Sequence, residues 1–269
     1  MDNQLSLYNA IPAGGVFGTR TSERWPSEPS TMDTINAKVI WPHAGKWGIP
    51  TLDPCDFEPS MLADWHDPHG RKEAAETGGA LHFFLDDYRF ERVWKFPHKT
   101  LEERVAPVGA AITPEFSVWD SLPIVSQMWQ VFRSRWMGAW WQYHGIKVIP
   151  CVIWGNPDTF EFAFEGLPEG GALALGTLGP GSNTQEAKEL YRQGLEVLLK
   201  QTQPTLLLTY GKLPSTCEWL NLPRVREYET FGQRRLSTLS ELRKKQHLPQ
   251  QEEEGLSWDV DREPPLFAL

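Results

Sequence analysis

The sequence predicts a parallel α/β fold, most simply a TIM-like or partial βα barrel with mostly parallel strands, and three observations carry that prediction. Continuous apolar runs of strand length recur, as in ALHFFL at 80–85, AAIT at 110–113, VIPCVIW at 148–154, ALALG at 172–176 and TLLLTY at 205–210. Unbroken apolarity marks strands buried on both faces, the habit of parallel sheets. Segments of helical character separate most of these runs, the alternation that builds such sheets. Each run then passes into polar or aromatic residues, and the carboxyl ends of parallel strands are where ligands bind. A doubly wound open sheet is the alternative.

With 269 residues, the chain can bury one core of α/β size plus appendages. The expected division is an extended or disordered arm over 1–36, a single α/β domain over 37–230, and a charged helix with an acidic tail over 231–269. A formal net charge of −9 disfavours a broad surface for tracking phosphates. Cys55, Cys151 and Cys217 are too scattered for a disulfide framework or a CxxC zinc site. The N-terminus lacks the basic and apolar regions of a secretory signal, and no apolar run reaches about 18 residues, so a soluble cytoplasmic protein is expected. Thirteen tryptophans suit core packing first and stacking on a ligand second.

The arm is rich in Pro, Gly, Ser and Thr. After it, Ile40-Trp41 and Ile49-Pro50-Thr51-Leu52 read as short strands between Pro and Gly breakers. The polar stretch 60–79 reads as a solvated loop. Its His66, Asp67 and His69 are of metal-ligating types but lack a further spaced ligand cluster. The run ALHFFL leads into Asp86-Asp87, where two acids at a strand exit can bind a metal, act as general base or hold a hydroxyl. The competing reading makes Asp87 a helix N-cap and Asp86 a partner of Arg89 or Arg92. Asp86, nearer the strand, is taken as the functional member.

The central unit follows, in which Ser121 and Pro123 suit a helix start and Gly145 its left-handed end. Between them Val125, Met128, Trp129, Phe132, Trp136 and Trp140 recur at helical spacing and predict one apolar stripe. Arg133, Arg135 and Gln142 fall off that stripe, where an arginine either clamps a phosphate or carboxylate or forms a surface ion pair. Pro150 lacks a ladder donor, so its strand belongs at an edge, at a bulge or where the sheet opens. FEFAFEGLP at 160–168 alternates and reads as a short strand or hairpin. A Gly-rich turn at 179–183 precedes a helical segment; glycines there can cradle an anion, although Ser182 with Gln185 makes an ordinary capping box. Arg224–Glu229 reads as a last short strand.

Two resemblances add to this. Gln4-Leu5-Ser6-Leu7-Tyr8 resembles the peptide by which bacterial DNA-metabolism proteins dock on the replicative sliding clamp, with Leu7 and Tyr8 filling an apolar pocket and Gln4 bonding at its rim. HFFLDDYRFERVW at 82–94, TPEFSVWDSLP at 113–123, QMWQVFRSRWMGAWWQYHGIKVIPCVIWG at 127–155 and the TFEFAFEGLPEG and TLLLTYG segments are similar to a family of phages, plasmids and other mobile elements, the domain of unknown function 4417. Its members usually carry Asp where this chain has Glu115 and Thr where it has Cys151. That resemblance implies a mobile-element context and no mechanism.

Two functions are expected, the first from the strand exits and the second from the N-terminal peptide. One is an enzyme on a small polar ligand, a nucleotide or sugar. In it Asp86 and Asp120 are catalytic acids, Asp87, Ser117, Gln142, Asn156 and Thr177 are polar contacts, Trp119 and Trp154 are walls, and Arg133 and Arg135 are clamps. The other is a non-catalytic replication accessory tethered to the clamp. The spacing specifies neither a cofactor nor a metal.

Overall fold

The computed structural model describes residues 35–36, 39–177 and 184–235. The chain divides into two units, Met1–Tyr228 and Glu229–Leu269. In the second, helix begins at residue 231, and Thr230 with Gln233 makes a reciprocal cap in which each side chain accepts from the other's backbone N–H. The segment Gln4–Tyr8, the 179–183 stretch and the acidic C-terminal stretch lie outside the described residues.

The first unit is mixed α/β. Strands β1 (Leu62–Asp64), β2 (Ala80–His82), β3 (Ala110–Ile112) and β4 (Lys147–Ile149) pair in chain order in one sheet. β5 (Ala172–Gly176), β6 (Leu206–Tyr210) and β7 (Arg224–Tyr228) do the same in a second. Every one of these pairings is parallel. Neither sheet contains the reversal of strand order that marks a doubly wound arrangement.

Alternation along the strands explains why both faces are apolar. Ala63, Leu81, Ala111 and Val148 pack with Trp136, Met137, Trp140 and Trp141 of helix α2 (Ile124–Tyr143). Leu173, Leu175 and Leu207 pack with Leu195 and Leu198 of helix α3 (Gln185–Thr202). The opposite faces contribute Leu62, Ala80, Ile112, Ile149, Ala174 and Leu208 to one shared core. Apolar side chains on both sides make each strand an unbroken run rather than an alternating one.

Pro150 sits where the two sheets meet. The ladder of β4 stops before it, and an isolated parallel bridge joins Cys151 to Ala174. The Cys151 N–H is met by the Thr113 hydroxyl at 2.8 Å, and the Pro150 carbonyl accepts from Ala174 N at 2.9 Å. A residue without a donor is tolerated there because the ladder has already broken.

Several expectations need correction. Residues 60–79 are not a loop: they form β1 and helix α1 (Pro68–Thr77), capped by the Asp67 side chain and closed by left-handed Gly78. Residues 41–52 form no strand. FEFAFEG is not a strand: a 3₁₀ turn at Pro157–Thr159 leads into a short helix at Phe160–Ala163. Helix α2 starts on Pro123 as its N-cap residue, without a side-chain cap from Ser121. Its apolar surface is no single stripe, since Val125 is 69% exposed while everything from Arg133 to Trp141 is buried. Helix α3 is capped by Thr184. No helix among the described residues is long and apolar enough to cross a membrane.

Candidate functional site

The carboxyl ends of β2, β3, β5 and β6 bring together a small set of side chains. At the end of β2, His82, Phe84 and Tyr210 of β6 form a ring stack. Phe84 lies on Tyr210 at 4.8 Å with planes 9° apart, and His82 lies 4.8 Å from Tyr210. Glu115, just beyond β3, reaches Gly176 at the end of β5. A side chain on Gly176 would meet the Glu115 Oε1 at 2.7 Å and Phe84 at 3.3 Å, so glycine makes room for both.

Asp87 stands beside Glu115 and is held by Ser117, whose backbone N–H and hydroxyl both donate to its carboxylate at 3.0 and 2.8 Å. Burial of the Glu115 carboxyl, with the Asp87 charge adding, pushes its pKa up to about 8. Among the described residues no group donates a hydrogen bond to that carboxyl. A carboxylic acid protonated near neutrality beside a carboxylate can donate and accept a proton in turn. No cluster of three metal-ligating acids, histidines or cysteines occurs among the described residues.

The sequence-predicted residues are distributed as follows. Asp87 and Ser117 enter this cluster. Asp86 does not: it is exposed at the N-cap position of the short helix Asp87–Phe90, the reverse of the expected order of the two acids. Asp120 is exposed and accepts from the Asn156 N–H at 2.9 Å, and the Asn156 side chain in turn caps Asp158, so these two build a loop junction. Thr177 donates its hydroxyl to the Tyr210 carbonyl. Trp154 packs on Phe164 and Tyr191, its indole against Gly194. Trp119 is 47% exposed.

The arginines are buried, against expectation. Arg133 lies over the Phe116 ring at 3.8 Å, pairs with Glu91 at 2.9 Å and bonds Gln130. Arg135 donates to the carbonyls of Cys151 at 2.8 Å and Ala163 at 3.1 Å, and burial lowers its pKa to about 10. Gln142 clips the backbone of Asp53 through both ends of its amide. His66 contacts the Arg89 carbonyl, and Asp67 caps His69.

The family model for the domain of unknown function DUF4417 matches residues 41–229. This chain belongs to that family. It is 48% identical over 220 residues to the Gene 1 protein of Mycobacterium phage L5, which covers 82% of this chain and 95% of the relative. It is 46% identical over 226 residues to the Gene 1 protein of Mycobacterium phage D29, covering 84% and 83%. No solved structure matches. The DUF4417 membership and the phage relatives agree with the mobile-element context that the resemblance implies. In this DUF4417 chain Glu115, where the family usually has Asp, is not among the site residues singled out from the sequence. The usable signal was chemical: the position carries a carboxyl in either case, at the exit of an apolar strand.

Proposed function

We propose that the two sheets wrap into a partial βα barrel and that its rim is an active site, with Glu115 as general acid and base toward a small polar ligand. One observation carries the reading. Glu115 is a crowded carboxyl without a hydrogen-bond donor among the described residues, set beside the Asp87 carboxylate at the ends of parallel strands. A carboxyl whose pKa is raised by burial and a nearby like charge, at the end of a strand, is suited to acid and base work near neutral pH. Support for the barrel comes from the core shared by both sheets, the Cys151–Ala174 bridge, and the Tyr228 hydroxyl of β7 donating to the Pro59 carbonyl just before β1. On this reading the chain is a phage-associated enzyme.

The test is turnover. The full chain is incubated with a mixture of nucleosides, nucleotides and sugars, and products are read by mass. Glu115→Gln keeps the shape and removes the proton, and should lower any turnover by about 10²-fold or more. Unchanged turnover in that variant would end the reading.

A further inference from the structure

We propose that the ligand of this rim is an uncharged planar heterocycle, a nucleobase or nucleoside, and that its phosphorylated forms are disfavoured. The inference rests on the reading of the rim as a binding site and narrows what enters it. Three features point the same way.

The first is the ring stack. Tyr210 is nearly sealed, at 4% exposure, whereas Phe84 is half-buried and is the residue of the stack that solvent reaches. A flat aromatic ligand gains most from such a surface, because base-on-aromatic stacking tolerates any base.

The second is charge. Asp87 is the charged group that acts on Glu115, and no lysine or arginine is among the causes of its raised pKa. Arg133, which covers the neighbouring Phe116, is already engaged by Glu91 and Gln130. A phosphate entering here would meet the like charge of Asp87, and among the described residues no lysine or arginine acts on Glu115 to offset it.

The third is hydrogen-bond polarity. A protonated carboxyl offers one donor and one acceptor side by side, which matches an amino group next to a ring nitrogen, as on adenine or cytosine; an ionised one offers only acceptors. The raised pKa of Glu115 keeps the matching form present at neutral pH.

The test uses the full chain at pH 6.5 and ligand-observed saturation-transfer NMR with adenosine, cytidine and their 5′-monophosphates. At least one nucleoside should bind roughly tenfold or more tightly than its monophosphate, and Asp87→Asn should narrow that gap. Phe84→Leu, which keeps the volume and removes the aromatic face, should weaken nucleoside binding while its melting temperature reports that the fold survives. Equal or tighter binding of the monophosphate, lost in Glu115→Gln, overturns the inference and leaves the rim as the site. Nucleoside binding untouched by both Phe84→Leu and Glu115→Gln overturns the rim as well. No binding by any of the four overturns the inference alone, since turnover of another compound would still report on the rim.

Discussion

Helix α2 and the strand-end rim bury charge in opposite ways. On α2, Arg133 has a carboxylate, an amide and an aromatic face, and Arg135 has two backbone carbonyls. At the rim, the Glu115 carboxyl lies close against Gly176 and under the charge of another acid, with no donor among the described residues. A buried cation whose bonds end on the backbone of two other segments fixes those segments. A crowded carboxyl with no donor costs stability, and such costs gather where function requires them. The contrast therefore separates polar groups that hold the fold from those free to meet a ligand.

Removing the first kind should be the more damaging. Arg135→Met would leave the Cys151 and Ala163 carbonyls buried without a donor, a loss of about 2–6 kcal/mol, read by denaturant unfolding. A variant as stable as the parent would erase the contrast.

Glu115→Gln should act with the opposite sign and depend on pH. The folded carboxyl has a pKa of about 8 against an ordinary value of 4.5. Between those two values the native state keeps a proton that the unfolded chain has shed, so stability is full below the lower value and is lost as pH rises through the upper one. The variant lacks this loss. Its advantage at pH 9 over pH 4.5 should be about 1–3 kcal/mol, discounted for partial exposure. Parallel stability curves for the two proteins across that range would contradict the assignment.

The smallest change is expected from Ser117→Ala. It deletes the hydroxyl bond to Asp87 and leaves the backbone N–H bond, costing about 1 kcal/mol. The same denaturant curves measure it, and a cost near that of Arg135→Met would place Ser117 among the structural groups instead.

Much of the scaffold was legible because strands buried on both faces are spelled as unbroken apolar runs, and because Gly145 and Pro150 carry backbone constraints that only a few places satisfy. Gly145 does take a left-handed φ of 78°. What escaped had weaker spelling. β1 is three residues long, and α1, PHGRKEAAET, buries only Gly70 and Ala74, so neither shows a hydrophobic period. In FEFAFEG the alternation of phenylalanine imitates a strand, yet Phe162, Ala163 and Phe164 are buried consecutively, as a helical turn permits and a strand against one core does not. Asp86 and Asp87 were ordered by distance from the strand, whereas one step of backbone rotation decides which carboxylate turns to the rim. The arginines were read by their position off a stripe that vanishes where α2, from Arg133 to Trp141, is buried all round.

The strand order has a further consequence. Within each sheet, β-strands lie side by side in the sequence in which the ribosome makes them, with gaps of only a few tens of residues between partners. Each newly emerged strand therefore finds its docking edge already assembled, and the loop to be closed is short. Synthesis of such a protein can proceed as layered growth from one side, the nascent edge serving as template for the strand that follows.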